Sequence, residues 1–128
     1  AKELRYVAVD FEKQALAEEL TKAGFSSSKK SVVVWEGVTM YLHPEARRAT
    51  LGVLGKLLAP GSMVGISYAR PSIVDTPLKR LQAAPLALIG EPLRGLVESE
   101  ILERELRDAG FEVYEDDDAR GWARRYLG

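Results

Sequence analysis

Two carboxylates stand where runs of apolar residues stop. Asp10 follows Tyr6-Val7-Ala8-Val9, and Glu36 follows Val32-Val33-Val34-Trp35. An aromatic accompanies each: Phe11 directly after Asp10, and Tyr41 a few residues beyond Glu36. Tyr68 and Arg70 occupy the same kind of place after a third apolar run. Side chains of these types suit ligand binding better than bond-breaking. There is no cysteine, which removes thiolate chemistry, disulfides and cysteine-held metals. A single histidine, His43, is too few for a histidine metal site within one chain.

Each candidate has an ordinary alternative. Asp10 could cap the helix expected from about residue 12, and capping and ligand contact both stay open. Phe11 could belong to the core. Glu36 is harder to place as structural, because a carboxylate beside Trp35 and after three valines needs a donor or a cationic partner. Tyr41 and Tyr68 are of a type more often found as core residues with a hydroxyl in water. His43, just before Pro44, reads as a surface or capping residue. No residue is singled out as catalytic.

Phosphate chemistry has no support. Neither G-x-G-x-x-G nor G-x-x-x-x-G-K-[ST] occurs, and there is no G-x-S-x-G elbow. The net charge of −1 offers nothing to steer the molecule toward nucleic acid or an anionic membrane. No apolar run approaches the roughly 18 residues that would span a bilayer. With 46% hydrophobic and 29% charged residues, composition is that of a water-soluble globular domain, and the absence of cysteine fits a cytoplasmic setting.

The elements that must position these residues follow from periodicity. Strands are expected at residues 6–9, 31–35 and 63–68, the first two buried on both faces of a parallel sheet. Helices are expected at residues 12–23, ending at Gly24, at 44–58, starting on Pro44, and at 98–109, ending at Gly110. In the last of these Ile101, Leu102 and Leu106 should face inward, with Ser99 near the cap. Residues 78–88 read as an interrupted helix, 111–114 as an edge strand and 118–126 as a short final helix. This alternation predicts an open α/β sheet over one domain, residues 1–128. Its ligand crevice would lie beyond the carboxyl ends of the strands, where Asp10, Glu36 and Tyr68 fall. Glu105-Leu106-Arg107-Asp108-Ala109-Gly110-Phe111 echoes Glu19-Leu20-Thr21-Lys22-Ala23-Gly24-Phe25, which two helices with the same stop requirement before a strand would explain.

Tyr6-Val7-Ala8-Val9-Asp10-Phe11, Ala23-Gly24-Phe25, Trp35-Glu36-Gly37-Val38-Thr39-Met40-Tyr41-Leu42 and Ala59-Pro60-Gly61-Ser62 occur in this order. Gly90-Glu91-Pro92-Leu93, Ala109-Gly110-Phe111 and Ala123-Arg124-Arg125-Tyr126-Leu127 complete the series. Together they resemble the leucine carboxyl methyltransferase family, most closely its bacterial S-adenosylmethionine-dependent O-methyltransferases. W-E-G-V-x-x-Y-L is the most specific part.

The resemblance implies part of a Rossmann-like methyltransferase sheet, mostly parallel, without its first two strands and its last strand. It implies S-adenosylmethionine as cofactor, with Asp10 and Phe11 at the adenine and Glu36 and Tyr41 toward the methionine portion. It also implies a small-molecule or carboxylate acceptor. Methyl transfer asks little of side chains beyond alignment, because the sulfonium is already an activated leaving group. The family's glycine-rich turn and ribose-binding acid have no counterpart here, so the expectation is a truncated domain that does not work alone. The alternative is a non-catalytic α/β interaction domain derived from the same family. Missing neighbours would leave strand edges either to pair directly with one another or to pair with a second copy, and the second alternative gives a homo-oligomer.

Overall fold

The computed structural model describes residues 3–10, 13–71 and 93–126. At its centre, strand β1 (Val32–Trp35) pairs in parallel with strand β2 (Met63–Ile66), Val32 opposite Met63 and Trp35 opposite Ile66. The Met63 N–H donates to the Ser31 carbonyl and the Ser67 N–H to the Trp35 carbonyl, each at 3.0 Å. Odd-numbered residues of both strands therefore turn their backbone groups toward the partner. Even-numbered ones, Val32 and Val34 on β1 and Val64 and Ile66 on β2, turn theirs outward. These two strands are the whole sheet among the described residues.

Helix α2 (Pro44–Leu57) makes the crossover. Pro44 opens it, Glu45 lies in its first turn and Lys56 in its last, as the helix dipole favours. Its buried stripe is Ala46, Arg47, Thr50, Leu51 and Leu54. Helix α1 (Leu16–Lys22) and helix α3 (Ser99–Asp108) both pack on it. Trp35, Leu42, Leu51, Leu54, Val97 and Leu102 form the buried core, with Ile66, Leu106 and Phe111 against it. Helix α4 (Ala119–Tyr126) closes the described chain.

The repeated stop is built the same way twice. Gly24 and Gly110 take φ of 97° and 94°, the left-handed region that glycine enters without steric cost. The Phe25 N–H then reaches the Leu20 carbonyl, and the Phe111 N–H the Leu106 carbonyl. Both turns are Schellman-type ends.

Several expectations fail, each for a local reason. Residues 6–9 form no strand: no described residue pairs with them, and Tyr6 is 91% exposed. The valine run of β1 is covered on one face only; Val32, Val34 and Met63 stay 75%, 72% and 62% exposed, because the helices gather on the other side. Residues 111–114 keep the in–out alternation, with Phe111 and Val113 half-buried, but have no ladder partner among the described residues. Helix α1 starts at Leu16 with Ala15 as its cap, so Asp10 does not cap it. Ile101 is exposed, since the stripe of α3 runs through Leu102 and Leu106. Ser99 begins α3 instead of capping it, the cap position being Glu98. The expected helix at 78–88 and the Gly90-Glu91-Pro92 turn lie outside the described residues.

Candidate functional site

The carboxyl ends of β1 and β2 carry two loops that a third segment stitches together. After β1, Glu36 is exposed and Gly37 turns the chain at φ 72°, its N–H donating to Ser67 Oγ at 2.8 Å. A short 3₁₀ turn, Thr39–Tyr41, follows. Thr39 is fully buried and its hydroxyl donates to the Ser67 carbonyl at 2.7 Å. Thus Ser67, just past β2, fixes the loop after β1 at two points.

Residues 95–97 form the strap. The Gly95 N–H donates to the Met40 carbonyl at 2.9 Å, and the Val97 N–H to the Ala69 carbonyl at 3.0 Å, so one segment holds both loops. The approach is close: a Cβ on Gly95 would stand 2.0 Å from the Thr39 carbonyl oxygen and 2.5 Å from that of Leu42. Arg47 secures the strap from below. Its Nε and Nη2 bind Glu105 at 2.8 and 3.0 Å, and its Nη1 donates to the Gly95 carbonyl at 3.3 Å. Arg47 and Glu105 are buried together, with Arg48 Nη1 3.6 Å from the same carboxylate. This two-pronged pair joins α2, α3 and the strap.

The expected ligand residues have these surroundings. Asp10 is exposed; its carbonyl accepts the N–H groups of Lys13 and Gln14, and its carboxylate lies 3.6 Å from Lys13 Nζ. Glu36 is exposed at the end of β1, and Tyr41 is half-buried in the 3₁₀ turn. Phe11 lies outside the described residues. His43 holds the cap position of α2, exposed and without a capping side-chain bond. No group of acids and histidine among the described residues could hold a metal ion. Nor is any helix among them long and apolar enough to cross a membrane.

A second polar knot lies past β2. The Tyr68 hydroxyl meets Ser99 Oγ at 2.9 Å and both Asp116 carboxylate oxygens at 2.8 and 2.7 Å. Burial pushes the phenol's pKa up and the Asp116 carboxylate adds to this, while Ser99 opposes it. Beside it runs a groove of about 410 Å³ between β2 and residues 110–116, floored by Leu102 and Leu106. Asp10, Glu36 and Tyr41 do not line this groove.

Sequence reading did not find Arg47, Glu105 or Gly95. The signal for the pair was present, because Arg47 falls on the stripe of Leu51 and Leu54, and Glu105 beside Leu102 and Leu106. Opposite charges inside two apolar stripes imply that the stripes meet. Gly95 gave no such signal, as a close backbone approach leaves no local pattern.

With the loops at the strand ends in place, the class is a βαβ unit of an α/β sheet, with W-E-G-V-x-x-Y-L at the carboxyl end of β1. Residues 1–55 are similar to the family described as Leucine carboxyl methyltransferase. A protein of Mycolicibacterium gilvum (strain PYR-GCK) is 36% identical over 75 residues, which is 59% of this chain and 22% of the relative. One from Mycolicibacterium paratuberculosis (strain ATCC BAA-968 / K-10) is 40% identical over 73 residues, 57% of this chain and 23% of the relative. Both carry the name "Putative S-adenosyl-L-methionine-dependent methyltransferase". The matched part of this chain thus spans under a quarter of these relatives' length. No solved structure matches the chain.

Proposed function

We propose that this chain is part of an S-adenosylmethionine-dependent O-methyltransferase acting on a carboxylate or hydroxyl oxygen, with Asp10 and Phe11 toward the adenine and Glu36 and Tyr41 toward the methionine end. One observation carries this reading: the family match spans residues 1–55, which contain all four of those positions. The relatives' names and the location of Glu36 at the carboxyl end of β1 support it.

The residues described do not fit the whole cofactor by themselves. The groove between β2 and residues 110–116 is lined by none of Asp10, Glu36 and Tyr41, and the 128 residues contain no G-x-G-x-x-G. Cofactor binding is therefore proposed for the assembled fold that includes a glycine-rich turn, and not for these 128 residues alone.

Titration calorimetry tests this in two steps. S-adenosylmethionine added to the 128-residue chain should give no saturable heat. A chimera joining the preceding part of the M. gilvum relative to this chain should bind it, and Asp10→Ala should weaken that binding by about tenfold, roughly the worth of one hydrogen bond from a charged group. Tight binding by the short chain, or a chimera indifferent to Asp10→Ala and Glu36→Gln together, would overturn the reading. The exposed valine face of the sheet favours a second one, a non-catalytic assembly domain, which predicts a chimera that does not bind at all.

A further inference from the structure

One residue past β2 holds the backbone on both sides of Glu36. Ser67 is half-buried, and its N–H donates to the Trp35 carbonyl at 3.0 Å. Its Oγ accepts the Gly37 N–H at 2.8 Å. Those two groups belong to the peptide units immediately before and after the Glu36 Cα. With both planes tied down, the direction in which the Glu36 side chain leaves the backbone is set.

The second of these bonds is not a ladder bond. A regular parallel pairing would run next from the Gly37 N–H to the Ser67 carbonyl. Here the Ser67 hydroxyl takes that N–H, and the buried Thr39 hydroxyl donates to that carbonyl at 2.7 Å. Two side chains thus replace one backbone bond. The exchange lets the chain turn out of the sheet at Gly37, φ 72°, while Glu36 stays held as a residue inside the ladder would be. The side chain of Glu36 is exposed at this break. The far end of the loop has its own tie, the Gly95 N–H on the Met40 carbonyl. Losing the Ser67 hydroxyl should therefore release Glu36 and Gly37 and leave that tie in place.

We propose that Ser67 is a positioning residue for Glu36, aiming its carboxylate before a ligand arrives and not touching the ligand itself. This rests on the methyltransferase reading, in which Glu36 meets the methionine portion of S-adenosylmethionine. A carboxylate held in its binding direction loses less freedom when the ligand is captured, and affinity gains by that difference.

Ser67→Ala, made in the 128-residue chain and in the M. gilvum chimera, tests it. In the short chain the circular dichroism should match the parent. The Gly37 amide should exchange at least about fivefold faster, the worth of a neutral hydrogen bond, while the Gly95 amide keeps its parent rate. In the chimera, calorimetry should show S-adenosylmethionine binding weakened by about fivefold. In a Glu36→Gln background the same substitution should change binding by under about twofold, because the group it acts through is already gone. Equal losses in both backgrounds overturn the proposal, since a role in stability alone does not depend on Glu36. So does a Gly37 amide or an affinity that Ser67→Ala leaves unchanged. A parent chimera that binds no S-adenosylmethionine sinks the methyltransferase reading and this proposal together, whereas a binding chimera with equal losses sinks this proposal alone.

Discussion

Removing Glu105 should destabilise this protein more than any surface change. In Glu105→Ala, the guanidinium of Arg47 stays buried with the Gly95 carbonyl at 3.3 Å as its remaining partner. Stranding one member of a buried pair costs about 3–5 kcal/mol. Against a typical total of about 5–15 kcal/mol, that is a large fraction of the folding free energy. Replacing both partners should behave differently. Arg47→Met with Glu105→Leu removes both charges and keeps apolar volume, a change that is often near neutral in other buried pairs. Urea denaturation followed by tryptophan fluorescence would measure both, with the slope checked for constancy. The reasoning fails if Glu105→Ala costs under about 1 kcal/mol, the value of an exposed pair. It also fails if the double variant is no more stable than the single one.

Three further outcomes follow from the geometry. Gly95→Ala would drive a methyl group into two carbonyl oxygens, so it should cost at least the ~1–3 kcal/mol of overpacking and loosen the loop after β1, seen as faster amide exchange at position 95 than in the parent. Tyr68→Phe should lose about 1 kcal/mol by urea denaturation. Because the folded phenol's pKa is raised, the stability held by Tyr68 is complete below the ordinary tyrosine pKa of about 10 and disappears as pH climbs through the folded value. A spectrophotometric titration in which Tyr68→Phe removes no late-titrating tyrosine would contradict this. Asp118 Oδ1 accepts the Gly121 N–H at 2.7 Å at the start of α4, and this bond, with Arg120's N–H and nearby arginines, holds its pKa low. That support is present above the ordinary aspartate pKa of about 4 and is lost as pH falls through the folded value. Asp118→Ala should therefore reduce helical circular dichroism at neutral pH and flatten its acid dependence.

The helices and the two parallel strands were legible because each has a local cause. Pro44 starts α2, Gly24 and Gly110 stop α1 and α3, and the valine run marks β1. What local pattern could not show was whether a strand-like run has a neighbour. Residues 6–9 and 111–114 have the composition of strands, yet a strand exists only by pairing, and pairing depends on chain far away in sequence. The same limit applied to the candidate site. Asp10 and Glu36 were found from their places after apolar runs, but enclosure is a property of many segments at once. The strap at Gly95 and its anchor in Arg47 arise from close approach between distant loops, which no window of sequence contains.

The bare valine side of the sheet also dictates how the molecule must be handled. Val32, Val34 and Met63 make a small greasy plate facing water. Attraction between such plates weakens on cooling, so chilled solutions should stay clear where warm ones turn cloudy. Sulfate, which strengthens that attraction, should bring turbidity on sooner, and a trace of mild detergent should delay it.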